Sequence, residues 1–509
     1  MPLLRVLRKS TPLGVLNYTA RCSVARMNTI SPATSADLGP VSARRLNLIS
    51  AVLVLGAITS LLDTTIVNIA LDHLHTTFGT TVAQTQWVST AYLLAYVAVI
   101  PVSGWAAERI GARRVWIAAI SAFLVGSLLC GFAGTLPLLV AFRVLQGLGA
   151  GMILPVTITI LTRAAGRERI GQAMIAIALP GQLAPILGPV IGGAIIESLD
   201  WHWLFFVNVP ICIAALAFAP RVLPRDAGQR GRTFDLVGFL LLTPGVAAVA
   251  YGISQAGGPD AFGAPESWVP LAAGAALLVG FIAHALTVKR VAPLVDVRVF
   301  ARRSFGLSSV ITFVGGFSVY AIMFLLPLFY QQIRGESVAA TGLLLIPQGL
   351  GTILFLVLSR RFLANIDGRF VVAGGVVLTM LGIVPFALAG TSGGEVLLLA
   401  AQFVLGIGLG AVSLPVMTLA FASLSPDETP RGSAAFSVVQ RVGAPFGVAV
   451  IAVVLQSRMA DAATPAAALA AFGGTFWWVL AFAAVPLVLA WFIPKKPVAE
   501  AAPADPARV

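Results

Sequence analysis

Residues 104–114 read Gly104-Trp105-Ala106-Ala107-Glu108-Arg109-Ile110-Gly111-Ala112-Arg113-Arg114, a charged turn set between two long apolar runs. The run before it begins near Gln86 and the run after it near Val115. Each is close to the roughly 20 residues needed to cross about 30 Å of hydrocarbon. A worn copy of the turn, Arg360, Arg361, Asn365, Gly368 and Arg369, stands between two later apolar runs.

Working outward from this turn, fourteen such runs can be counted. They begin near Leu46, Gln86, Val115, Pro137, Ile170, Trp203, Leu236, Trp268, Phe305, Ala340, Phe370, Val396, Ser433 and Thr475. An even number places both termini on one side. With the N-terminus in the cytoplasm, 29 of the 33 Lys and Arg fall in inner segments, and the outer loops keep only Arg334 and Arg458. That asymmetry orients the chain with both ends cytoplasmic. It predicts a multi-pass protein of a bacterial inner membrane.

Composition agrees. Of 509 residues, 58% are hydrophobic and 10% charged, against about 25% charged in soluble domains. A net charge of +13 would suggest nucleic acid in a soluble chain. Here the basic residues sit in short loops between spans, so topology accounts for them and no nucleic-acid partner is expected. Cys22, Cys130 and Cys212 are widely separated and His73, His75, His202 and His284 are scattered, so neither a disulfide framework nor a metal site is predicted. Residues 1–45 are basic and lack a signal-peptide core, and read as a disordered cytoplasmic tail with Met27 as an alternative start.

The repeat is deeper than one loop. Gly147, Gly149 and Gly151, followed by Pro155, recur eight spans later as Gly406, Gly408 and Gly410, followed by Pro415. The predicted fold is therefore an all-α polytopic membrane protein. It has a six-helix bundle at 46–222, a linker and two inserted helices at 223–290, a second six-helix bundle at 291–494 and a tail at 495–509. Parallel halves of this kind place a substrate site between them near the bilayer midplane.

Chemistry is concentrated in few residues. Asp63 is the one acid well inside a span, and a charge there costs at least about 2.5–3.5 kcal/mol, which marks it as functional. It lies about 12 Å from the outer end of span one, and Arg143 lies about 9 Å below the same surface on span four. The two can pair directly or through water, with Gln146 one turn away to orient them. The competing reading is a static ion pair joining two helices. Asn68, Gln182, Gln348, Gln440 and Arg441 are candidates for the substrate cavity, with helix–helix hydrogen bonding as the plainer alternative. Span five carries Gly181, Pro185, Gly188, Pro189, Gly192 and Gly193, a pattern that suits a sliding contact. Gly104, Glu108, Arg109, Gly111 and Arg113 are candidates for a cytoplasmic latch, set against a plain solvated turn.

These motifs resemble the major facilitator superfamily, and within it the fourteen-helix drug:proton antiporter branch of the EmrB/QacA type. The Gly104–Arg114 turn is similar to the superfamily's loop signature, with Glu108 for the usual Asp and Ala112 for a usual base. Arg143, Gln146, Gly147 and Gly149 resemble the fourth-helix motif, which implies a part in proton transfer. Gly188-Pro189-Val190-Ile191-Gly192-Gly193 resembles the antiporter motif, which implies export. Leu62 to Leu71 and Trp201 to Pro210 resemble two signatures of the branch, with Asp72 and His202 as departures.

The reading that follows is proton-coupled export of small hydrophobic or amphipathic compounds, drugs included, by alternating access. Asp63, Arg143 and Gln146 would couple the proton, with no cofactor beyond the proton gradient. A dedicated exporter of one metabolite, lipid or antibiotic is the alternative, followed by proton-coupled uptake. A membrane enzyme would need clustered His, Asp, Glu or Cys at an interface, and none is present. The expected partners are the substrate, protons and the bilayer, with a periplasmic adaptor and an outer-membrane channel as further candidates.

Overall fold

The computed structural model describes residues 42–166, 169–228, 233–255, 265–288, 293–388, 394–425, 427–460 and 462–493. The tails expected at 1–45 and 495–509 therefore lie almost wholly outside the described residues, which contain no β-strand.

Spans one to five are Ala43–Phe78, Val82–Ile110, Ala112–Gly131, Leu136–Ala165 and Ile170–Ser198. Span six is broken at Val207 into Trp203–Phe206 and Asn208–Val222. Spans seven and eight are Leu236–Gln255 and Pro265–Thr287. Span nine, Arg303–Leu328, ends in a π-helical turn, Phe329–Ile333, and span ten comprises Val338–Leu344 and Ile346–Asn365. Spans eleven to fourteen are Gly368–Leu388, Glu395–Ala422, Thr429–Ala460 and Pro465–Ala490. Among the described residues, twelve segments are long and apolar enough to cross a bilayer. Spans five and thirteen, helices of 29 and 32 residues, complete the fourteen.

Local chemistry sets the ends. Thr81 and Gln84 form a reciprocal capping box that starts span two. Gly111, at φ 100°, makes the turn into span three in a conformation that side chains resist. Span fourteen begins ten residues before the expected Thr475, at Pro465. Thr464 caps it by accepting from the Ala467 N–H, and the alanine-rich stretch that follows is a strong helix former.

Packing repeats with the shift read from sequence. Span one lies against five and six, two against four, and three against four and six. In the second bundle nine lies against thirteen and fourteen, ten against twelve, and eleven against twelve and fourteen. The glycines explain how. A Cβ on Gly147 or Gly151 would strike the carbonyl oxygens of Tyr92 and Tyr96 on span two, and one on Gly149 would meet the Phe123 nitrogen of span three. Gly406 and Gly408 make the same approaches to Gln348 and Thr379 on spans ten and eleven. Small residues thus hold two backbones together where lipid supplies no hydrophobic drive.

Spans seven and eight pack on each other, and seven leans on spans two and thirteen. The bundles meet through two and four against thirteen, and through ten and twelve against five. Large apolar side chains such as Phe132, Val279 and Val357 are left exposed, as a lipid-facing surface allows.

Candidate functional site

Asp63 is fully buried between spans one, four and six. Arg143 Nη1 donates to its Oδ2 at 2.5 Å. Gln146 Nε2 and Asn208 Nδ2 donate to its Oδ1 at 2.9 and 3.3 Å. Ser127 Oγ accepts from both of those amides at 3.2 Å and donates to the Phe205 carbonyl. Arg143 also donates to Gln146 Oε1 at 2.8 Å and to the Val88 carbonyl at 3.1 Å, and its guanidinium lies 3.9 Å from the Tyr92 ring centroid.

Oδ1 accepts two of these bonds and Oδ2 one, which leaves one acceptor position of the carboxyl group open. Asn208 Oδ1 is buried without a hydrogen-bond partner among the described residues, an acceptor in reserve beside the acid.

Sequence reasoning reached Asp63, Arg143 and Gln146 but not Asn208, Ser127 or Tyr92 as members of the site. Asn208 carried a signal, being polar between Val207 and Val209 at the break in span six. Ser127 and Tyr92 carried none.

In register with the glycine repeat, Arg143 corresponds to Gln402 of the second bundle. Gln402 Nε2 donates to Tyr330 Oη of span nine at 2.7 Å. A neutral amide–phenol bond there replaces the ion pair, so the two bundles carry different chemistry at equivalent places.

A cavity of about 480 Å³ opens between the bundles. Thr64 and Thr65 line it from span one, Gly181 and Ala184 from span five, Tyr320 from span nine, and Gln440 and Arg441 from span thirteen. Asp63 is not part of this wall, because it points into the first bundle from another face of span one. Of the residues expected at a substrate cavity, Gln440 and Arg441 line this one. Gln348 falls outside the lining, where span ten is pressed against Gly406 of span twelve. The side chains of Asn68, Gln182, Pro185 and Pro189 lie outside the described residues.

On span five, Gly188 and Gly192 press against Thr65 and Ile66 of span one, while Gly181 and Gly193 have open space. The antiporter-like motif thus abuts the segment that carries Asp63.

The Gly104–Arg114 turn is pinned on two sides. Arg431 Nη2, from the start of span thirteen, donates to Glu108 Oε2 at 2.8 Å, and Gly104 abuts the Pro430 carbonyl. Nearby, Thr159 and Ser433 share a hydroxyl hydrogen bond at 2.9 Å across the bundles. Asp226, in the linker that follows span six, accepts from the Ala112 and Arg113 N–H groups, Arg113 donates to the Pro220 carbonyl, and Arg109 lies 5.4 Å from the Trp105 ring. The contacts of this turn therefore reach Asp226 and Arg431, both distant in sequence. In the adjoining loop, partial burial pushes the Glu428 carboxyl up. The Ser425 N–H and hydroxyl and the Arg302 guanidinium outweigh this and hold it below the ordinary carboxylate range.

The family model of the Major Facilitator Superfamily matches residues 53–448. The chain belongs to the major facilitator superfamily. Its fold, with six-helix halves and a cavity between them, is that of a secondary transporter of this superfamily. It is 35% identical over 406 residues to "Multidrug resistance protein B homolog" of Mycobacterium tuberculosis, covering 79% of this chain and 75% of that one. It is 33% identical over 410 residues to "Putative multidrug resistance protein MdtD" of Salmonella paratyphi B, covering 79% and 85%. The structure of the proton:xylose symporter XylE superposes with a TM-score of 0.59 at 15% identity, over 89% of this chain and 96% of that one, a likeness of fold.

Proposed function

We propose that this superfamily member exports small hydrophobic or amphipathic compounds, drugs among them, in exchange for protons. The observation that carries the reading is Asp63: a fully buried carboxyl group that accepts from three donors, inside the bundle that forms one wall of the cavity. The names of the curated relatives, both multidrug resistance proteins, support the same direction.

In this reading the arginine-rich end faces the cytoplasm of a bacterial inner membrane, with both termini on that side, as the distribution of Lys and Arg supports. The Glu108–Arg431 and Thr159–Ser433 contacts then close the cytoplasmic side. A proton reaching Asp63 releases Arg143 or Asn208 from it. The loosened network shifts spans four and six against span one, and with them the contact between span one and the glycines of span five. Substrate leaves outward, the bundles rock, and deprotonation toward the cytoplasm restores the network. A cavity of about 480 Å³ is in the range that accepts drug-sized ligands. The proton gradient is the sole energy source. Delivery beyond the inner membrane would fall to a periplasmic adaptor and an outer-membrane channel.

The test is proton-driven movement of a lipophilic dye in inverted vesicles, wild type against Asp63→Asn. Proton-linked dye movement in the wild type alone is the expected result. Full coupling in the variant would make Asp63 structural. Movement with the proton instead of against it would establish uptake.

A further inference from the structure

The cavity has an unbalanced charge. Among its described lining residues, Arg441 is the one formally charged side chain, and the other polar groups are hydroxyls and the amide of Gln440. Asp63 does not offset it, because that carboxylate is turned into the first bundle and committed to Arg143, Gln146 and Asn208. Arg441 instead lies 4.2 Å from the Tyr96 ring centroid, and its Nη2 donates to Tyr96 Oη at 2.7 Å. A guanidinium has five N–H donors in a planar fork. This single described hydrogen bond leaves the fork free to face the cavity it lines.

We propose that Arg441 reads the charge of the substrate, and that the preferred cargo is an acidic amphiphile: one carboxylate or similar oxyanion on an apolar body. The inference rests on the export reading of the same cavity and specifies its substrate class. A carboxylate matches the guanidinium fork in two parallel hydrogen bonds, whereas an ammonium meets a like charge with no acid to relieve it.

The position of Arg441 gives this binding a consequence. Tyr96 and Tyr92 lie side by side on span two, ring centroids 6.1 Å apart, with Arg441 of the second bundle against Tyr96 and Arg143 of the first against Tyr92. A bound oxyanion draws Arg441 toward the cavity and so weakens its bond to Tyr96 Oη, a bond between the bundles on the helix whose Tyr92 packs against Arg143.

Three probes with one ring system separate the possibilities: pyrenebutyrate, its neutral amide and pyrenebutylamine. Binding is read by pyrene fluorescence on the purified full-length protein in detergent, and transport in proteoliposomes with an imposed proton gradient. The wild type is expected to bind the carboxylate at least tenfold more tightly than the amine. Arg441→Gln should reduce that ratio at least tenfold, and Arg441→Lys should keep most of it. A ratio near one in the wild type, or one unchanged in Arg441→Gln, overturns the proposal. Should Arg441→Gln fail to fold, the wild-type ratio and the Lys variant still decide. Preferential binding of the carboxylate with no proton-driven movement of any probe would refute the export reading and leave the charge reading standing. Export of the amide with a flat binding ratio would do the reverse.

Discussion

Arg143 and Asp63, 80 positions apart and on different spans, meet in a direct charge-assisted hydrogen bond from which solvent is excluded. Two charges taken out of water together incur a large desolvation cost that their attraction offsets only with good geometry and further hydrogen bonds. Gln146 and Asn208 supply those bonds, and Val88 and Tyr92 occupy the rest of the guanidinium. A purely structural contact between two spans would be met more simply by apolar packing.

A double-mutant comparison separates the two roles. Arg143→Gln alone strands the Asp63 carboxylate and should lower thermal stability in detergent markedly, since breaking a buried pair costs about 3–5 kcal/mol. Asp63→Asn together with Arg143→Gln should regain much of that stability and none of the proton-coupled transport. Recovery of both would reduce the pair to a structural brace.

Asn208 tests the wider network. Asn208→Ala removes donors to Asp63 and Ser127, at about 1 kcal/mol net for each bond. Proton-driven efflux is expected to fall at least tenfold, because a loss of about 2 kcal/mol shifts the equilibrium between the intact and the loosened network by more than that factor. An initial rate within twofold of wild type would place Asn208 outside the coupling machinery.

The glycines make a graded series. Gly151→Ala and Gly406→Ala each drive a methyl group into a backbone carbonyl of a neighbouring span, and overpacking of this kind costs about 1–3 kcal/mol. Gly193→Ala has open space and should unfold at the wild-type temperature. Equal thermal shifts for all three would contradict this packing.

Glu108 and Arg431 join the bundles at the arginine-rich end, and both are largely buried. Glu108→Arg should reduce transport at least tenfold, and Glu108→Arg with Arg431→Glu should recover a substantial part. If the swapped pair is no better than the single change, the contact does not act as a latch.

Glu428 gives a pH dependence with a definite sign. Its folded-state carboxyl is held below the ordinary range by Ser425 and Arg302. Its contribution to stability is therefore full above the unfolded carboxylate value, near 4.3, and is lost as pH falls through the lower folded value. Glu428→Gln should flatten that acid limb of a thermal-stability profile measured against pH. An unchanged limb would show that the Arg302–Glu428 contact is not maintained in solution.

Much of this molecule was legible in one dimension. The glycine repeat from Gly147 to Gly406 predicted which spans would be equivalent, because small residues at helical spacing are what close backbone approach requires. Asp63 and Arg143 stood out because few side chains can be charged at that depth without a purpose. Asn208 was visible only as a lone polar residue in a signature. Gln348 looked equivalent to Gln440, yet one lies against a neighbouring span and the other on the cavity.

By itself, the sequence determined the number of spans, the bias of their loop charges and the doubling of the fold. Each is a property of transfer between water and lipid, summed along a local stretch of chain. What the tertiary structure decided is which way each helix turns its faces. Asp63 points into the first bundle, Thr64 beside it into the cavity, Glu108 finds Arg431, and Arg441 settles on Tyr96. In a soluble protein an apolar stripe would announce the buried face. Here lipid and protein interior are both apolar, so rotation about the helix axis leaves little trace in hydropathy, and only the packing of whole bundles sets it.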